Sequence, residues 1–349
     1  MGMAPDLALP AAWQPHFLRR YDPDPRGAFA AREAVSRYYA DRGTTVDPAD
    51  VILTAGTSEA YAQVFRLLSD SGDRVLVPRP GYPLIDPIAE AVSIGVTDYR
   101  LDRRLPEGRW TFDPHQLPGG ARAVVIVQPG HPTGALLDEP AIQNLDAAAA
   151  SAKLAVVSDE VFSDFRWDDV DGGVRSALGD RQALTFVLSG ASKVCGLPQM
   201  KIGWIALAGP LVLRGEARQR LEWLSDLFLT VSTPAQLALP EWLADRHVWQ
   251  RRVRERIATN LVRVNEALAR HSSVESFSDR AGWVVALRLP GGRNETMWPF
   301  DLLQRDVIVH PGYLYDFDED PIIVVSLIVE PSSFTQGIDR LEELLLAAE

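Results

Sequence analysis

Short runs of β-branched and other apolar residues alternate with helix-length amphipathic stretches through the middle of the chain. The runs are Val51-Ile52-Leu53-Thr54, Val75-Leu76-Val77, Val124-Val125-Ile126-Val127, Leu154-Ala155-Val156-Val157, Thr185-Phe186-Val187-Leu188 and Ile202-Gly203-Trp204-Ile205. Such runs suit strands buried on both faces, and the intervening helices supply the crossovers of a mostly parallel sheet. Ser58 to Leu68 and the Ala-rich Glu139 to Lys153 read as two of those helices. After Thr230 the texture changes. Thr233-Pro234 opens a helical region reaching to about Arg270, and shorter strands follow at Trp283 to Leu289, Val307 to His310 and Ile322 to Val329. A last helix runs from Phe334 to the end, and Phe29 to Ala40 reads as an amphipathic helix in need of a partner. The pattern predicts an α/β chain with a large domain over residues 43–230 and a smaller α+β domain built from 1–42 and 231–349.

Charge narrows the partners. Among 349 residues, 35 Lys+Arg stand against 47 Asp+Glu, a formal net charge of −12. An acidic balance without basic clusters argues against a nucleic-acid surface. No apolar run approaches the roughly 18 residues that span a bilayer, so no membrane partner is expected. Met1-Gly2-Met3-Ala4-Pro5-Asp6 lacks the basic and apolar regions of a secretion leader, which reads as a cytoplasmic protein. The single cysteine, Cys195, fits a reducing compartment. The histidines show neither HExxH nor paired-Cys spacing, so no metal is expected.

Candidate chemistry gathers where the strand runs end. In Ser189-Gly190-Ala191-Ser192-Lys193-Val194-Cys195-Gly196-Leu197-Pro198-Gln199-Met200-Lys201-Ile202-Gly203-Trp204, Lys193 lies just past a buried strand in a Ser/Gly-rich turn. A desolvated lysine has a depressed pKa and forms Schiff bases with carbonyls; a solvated loop lysine is the bland alternative. Asp159 ends the strand run Val156-Val157-Ser158-Asp159, at the sheet edge where ligands bind in open α/β folds. Ser158 or Asp159 could equally cap a helix. Ala55-Gly56-Thr57-Ser58 follows a strand and opens a helix, whose free N–H groups suit a phosphate; a plain helix cap is compatible with the same residues.

The Ser-Lys-x-x-Gly-Leu-Pro-x-x-Lys-x-Gly-Trp run resembles the Schiff-base motif of the class I/II aminotransferases, pyridoxal-phosphate enzymes of fold type I. Further landmarks follow in family order over about residues 18 to 345. The resemblance implies a fold type I transferase, with pyridoxal 5′-phosphate as an aldimine on Lys193. It places Asp159 on the pyridine nitrogen, Tyr82 of Pro80-Gly81-Tyr82-Pro83 on the ring, and Gly56, Thr57, Ser58, Ser192 and Lys201 around the phosphate end. Lys201 stands where many members carry an arginine. Tyr21 resembles the tyrosine that family dimers lend to the neighbouring subunit's phosphate, which implies a homodimer.

Three departures qualify the resemblance. The family's Asn-Pro-x-Asn-Pro-Thr-Gly loop reads Gln128-Pro129-Gly130-His131-Pro132-Thr133-Gly134, so His131 replaces the asparagine that donates to the cofactor's phenolic oxygen. A histidine there either preserves the contact or, titrating near neutral pH, adds an acid/base group; a loop histidine facing water is the alternative. Phe162 stands where many members have tyrosine. In Val324-Val325-Ser326, valine occupies the position of the arginine that grips the substrate carboxylate. The aromatic run His310-Pro311-Gly312-Tyr313-Leu314-Tyr315 reads either as a pocket wall or as packing. The implied activity is transfer of an amino group between an amino acid and a keto acid. Decarboxylation, β-elimination or oxidation with the same cofactor stays open, as does a non-catalytic cofactor-binding homologue.

Overall fold

The computed structural model describes residues 23–104, 108–167, 176–292, 295–318 and 321–347. In chain order, its elements begin with helix α1 (Phe29–Ala40), strand β1 (Val51–Thr54), α2 (Thr57–Leu68), β2 (Arg74–Arg79), α3 (Ile85–Ala91) and β3 (Gly95–Arg100). A small hairpin of β4 (Asp102–Arg104) and β5 (Arg109–Thr111) precedes β6 (Ala123–Val127), α4 (Glu139–Ala152), β7 (Ala155–Asp159), β8 (Thr185–Gly190), the single-turn α5 (Ala191–Val194) and β9 (Gly203–Ala208). Then come α6 (Leu211–Asp226), α7 (Thr233–Arg270), β10 (Glu275–Ser276), β11 (Val284–Arg288), α8 (Met297–Leu303), β12 (His310–Pro311), β13 (Ile322–Ser326) and α9 (Pro331–Leu346). Among the described residues no helix is long and apolar enough to cross a membrane.

A seven-stranded sheet has the order β1-β9-β8-β7-β6-β2-β3, and all six apolar runs become strands in it. Neighbours from β3 through β8 are parallel, and β9 runs antiparallel to both β8 and β1. Alternate residues feed opposite faces. Val75, Val77, Val125 and Val157 pack with Tyr61, Val64 and Phe65 of α2, whereas Leu76, Val124, Ile126 and Val156 pack with Ile142, Leu145 and Ala149 of α4. The edge strand β3 escaped the sequence pattern because most of its residues are half-buried or exposed, so it carries no apolar run.

A second sheet, β10-β11-β13-β12, is antiparallel. The expected strand Val307 to His310 forms later and is shorter, because β12 pairs with β13 only at His310↔Val324 and Pro311↔Ile323. The strand expected to reach Val329 ends at Ser326. Helix α7 runs along both sheets. Its buried residues follow one helical stripe from Ala235, Leu239 and Leu243 through Trp249, Val253 and Ile257 to Val264. The first part of the stripe packs with β1, β9 and α1, and the later part with β11, β13 and α9.

Helix α1 finds its partner here. Ala31, Ala34, Val35, Tyr38 and Tyr39 share one face and pack against Val51, Leu53 and Trp204 of the large sheet and against α7. Trp204 is fully buried, and its indole N–H donates to the Tyr39 hydroxyl at 3.0 Å. Removing that acceptor strands a buried donor, so Tyr39→Phe should lower unfolding free energy by about 1–3 kcal/mol in urea denaturation without changing the m-value.

Candidate active site

Strand β1 runs antiparallel to β9, and β9 antiparallel to β8, so β1 shares the direction of β2, β6, β7 and β8. The carboxyl ends of these strands therefore lie along one edge. The segments that follow them carry Gly56, Tyr82, His131, Asp159 and Lys193 respectively. Residues dispersed over more than a hundred positions of sequence thus share one site.

Asp159 closes β7 and is fully buried. Its Oδ2 accepts from the Tyr61 hydroxyl at 2.9 Å, and its Oδ1 from the Val161 N–H at 3.1 Å. Burial pushes the carboxyl up to about 6, opposed by those two hydrogen bonds and by the Lys193 charge. Lys193 sits on α5 just past β8 and is half-buried. Burial lowers its pKa, and Asp159 pulls the other way. Its Nζ lies 5.2 Å from the Trp283 ring centroid and 5.7 Å from that of Phe162, so two aromatic faces take the place of water around the ammonium.

The lysine's backbone is held from α7. Trp249 Nε1 donates to the Lys193 carbonyl at 3.3 Å, and Gln250 Nε2 to the Val194 carbonyl at 3.1 Å. Gly196 follows with φ of 69°, and a Cβ there would come within 2.3 Å of the Trp249 ring, so only glycine lets the turn close on that indole.

His131 lies beside this pair. Its ring stacks on Phe162 with centroids 5.5 Å apart and meets Tyr315 at 5.5 Å and Tyr82 at 6.0 Å, both edge-on. Burial first, then the charges of Lys193 and His310, push its pKa down to about 4. Of the two alternatives read from the sequence, this burial disfavours the one that needs titration near neutrality. In this pocket the imidazole is neutral and offers one N–H donor and one acceptor. Tyr82 and Tyr315 are both pushed up to about 12 by burial and keep their protons.

The other sequence-derived positions surround this centre. Gly56 caps α2 with φ of 105°, a left-handed conformation suited to glycine, and no side chain caps the helix. The first N–H groups and the Thr57 and Ser58 hydroxyls stand at that end of α2. Gly203 approaches so closely that a Cβ on it would lie 3.0 Å from Gly56 Cα, which brings exposed Lys201, two residues earlier, toward the same helix end. Ser192 is half-buried on α5 beside Lys193. Tyr21 lies outside the described residues. Val324 is buried among Trp110, Phe277, Ala286 and Tyr315. The sequence reading missed Tyr61, Trp249 and Trp283, which reach the site from distant segments. Their only sequence signal is an aromatic in an amphipathic stretch, which looks the same as core.

Residues 18–321 match the family model described as aminotransferase class I and II. The glutamate-pyruvate aminotransferase of Escherichia coli K12 is 29% identical over 223 residues, covering 62% of this chain and 54% of that protein. The tyrosine aminotransferase of Bos taurus is 30% identical over 218 residues, covering 61% of this chain and 48% of its own length. The matched chain spans about half the length of these curated relatives. Among solved structures, an alanine aminotransferase from Pyrococcus furiosus superposes with a TM-score of 0.84 at 20% identity, covering 98% of this chain and 89% of that one. The latter likeness establishes the fold, and the match to the family model over most of the sequence establishes membership: this chain belongs to the class I and II aminotransferases.

Proposed function

We propose that the chain is a pyridoxal-phosphate-dependent aminotransferase that moves an amino group between an amino acid and a keto acid. The observation that carries this reading is the half-buried Lys193, its pKa lowered by burial, within the field of fully buried Asp159 at one sheet edge. The relatives named above are aminotransferases, which favours transfer over decarboxylation, elimination, oxidation or a non-catalytic role.

The donor set suits pyridoxal phosphate. Asp159 is a buried carboxylate on which Lys193 is the cationic influence, so a protonated ring nitrogen would stabilise its charged form. Tyr82 offers a ring face. Neutral His131 offers an N–H for a phenolic oxygen. The uncapped start of α2, which carries Thr57 and Ser58, suits a dianionic phosphate, to which Ser192 and Lys201 would add donors. When bound, the cofactor supplies an electron-withdrawing ring that stabilises negative charge at the substrate's α-carbon.

The chain's own residues do the rest. Desolvation over Trp283 and Phe162 gives Lys193 a larger neutral fraction at working pH, as a base that takes the α-proton requires. Trp249 and Gln250 fix the turn from which it acts. Asp159, kept in place by Tyr61, supplies a fixed negative charge.

The reading extends to organisation. The large unit over 43–230 carries the lysine and the carboxylate, and the unit of 1–42 with 231–349 supplies Trp283 and Tyr315. A homodimer in which Tyr21 serves the neighbouring subunit belongs to the same proposal. Exposed Leu211, Val212, Trp223, Leu227 and Phe228 on and after α6 give a second copy an apolar face.

Lys193→Ala should abolish borohydride-stable attachment of pyridoxal phosphate and lower transfer between amino and keto acids by at least about 10³-fold. Unchanged turnover in that variant would defeat the reading. Asp159 gives a pH test. Its carboxyl titrates at about 6 in the ligand-free site, and a cationic partner favours the ionised form. Pyridoxal-phosphate affinity should therefore weaken as pH falls through about 6. In absorbance titrations, Asp159→Asn should bind more weakly at neutral pH and show no inflection there.

A further inference from the structure

An amino acid donor brings a carboxylate along with its amine, and both must be met in the same pocket. The position aligned with the family's carboxylate arginine, Val324, is buried and apolar. Its directly opposed neighbour across the β12–β13 pair is His310. Residues opposed in an antiparallel pair put their side chains on the same face of the sheet, so His310 shares the face of Val324. Unlike Val324, it is exposed.

His310 is also held. Its Nδ1 lies 2.7 Å from the Tyr315 hydroxyl, and the two rings stack with centroids 6.2 Å apart. Tyr315 keeps its proton, because burial pushes its pKa up to about 12. The hydroxyl and Nδ1 share a hydrogen bond whose direction follows the tautomer, and Nε2 is the ring nitrogen that Tyr315 does not engage. Tyr315 in turn meets His131 edge-on, and its carbonyl accepts from the Gly81 N–H at 3.0 Å, next to Tyr82. His310 is thus one ring removed from His131, on the wall that also carries Tyr82. The charges felt at His131 are those of Lys193 and His310. With Lys193 committed to the amine and the α-proton, His310 is a second basic group near enough to act on His131.

We propose that His310, its ring fixed by Tyr315, is the specificity-determining residue that receives the carboxylate of the amino donor. This inference rests on the aminotransferase reading for its substrate class, but binding tests it apart from turnover. The probes are 3-phenylpropionate, a carboxylate without an amine, and 3-phenylpropan-1-ol, which has the same body without the charge. Both are titrated calorimetrically into the pyridoxal-phosphate-loaded protein.

The wild type should prefer the carboxylate. His310→Phe keeps a ring against Tyr315 but removes the N–H. It should weaken 3-phenylpropionate at least about tenfold, as expected for a hydrogen bond to a charged group, and leave the alcohol within about twofold. His310→Gln, which retains a donor, should recover part of the loss. With L-tyrosine as donor, His310→Phe should raise KM by a similar factor and change kcat little. Equal loss of both probes, or no preference for the carboxylate in the wild type, overturns the proposal. If no amino acid is converted yet 3-phenylpropionate binding depends on His310, the transfer reading fails and this one stands. Turnover with carboxylate binding indifferent to His310 overturns this one alone.

Discussion

The opposition between Asp159 and Lys193, at the ends of neighbouring strands β7 and β8, is the constraint around which the site is arranged. Each charge is costly where it stands, because burial favours the neutral form of both groups. The surrounding structure keeps the two groups poised instead of letting them collapse onto other partners. Tyr61 and the Val161 N–H hold the carboxylate from one side. Trp283 and Phe162 present π-faces to the ammonium, and Trp249 and Gln250 fix the turn that carries it. A buried carboxyl raised by desolvation beside a lysine lowered by desolvation is the kind of pair that concentrates at functional sites.

The remaining features follow from that poise. A parallel sheet brings strand ends to one edge without requiring their residues to be near in sequence, which is how segments as distant as Gly56 and Lys193 contribute to one pocket. Burial, with Phe162, Tyr315 and Tyr82 around the ring, disfavours the charged form of His131, so it adds no third charge beside the pair.

Much of this was legible from residue order, and what was not has identifiable physical causes. Lys193, Asp159 and the Gly56 helix start could be singled out from the strand runs they follow, whereas Tyr82 and His131 were singled out only by the family resemblance; the structure brings all five to one sheet edge. All six strand runs were equally plain, because strands buried on both faces show continuous apolar residues. The edge strand β3 was not, because half of its environment is solvent. The hydrogen bond from Tyr61 to Asp159 joins residues 98 apart in sequence, and nothing in an amphipathic helix marks which aromatic will meet a carboxylate. The alternatives for His131 stayed open in the sequence because its stacking on Phe162 exists only once the loops after β6 and β7 come together.

Helix α7 carries a mechanical implication. It spans 38 residues, roughly 57 Å at 1.5 Å per residue, with one end seated on the seven-stranded sheet and the other under the four-stranded one. The bonds from Trp249 and Gln250 to the turn behind Lys193 leave the helix where its seat under the four-stranded sheet begins. A tilt of the smaller sheet therefore cannot leave the Lys193 turn unmoved unless those bonds break or the helix bends. Trp283, which faces the amine and meets Trp249 edge-on, and the turn that carries the amine are thus tied to one helix.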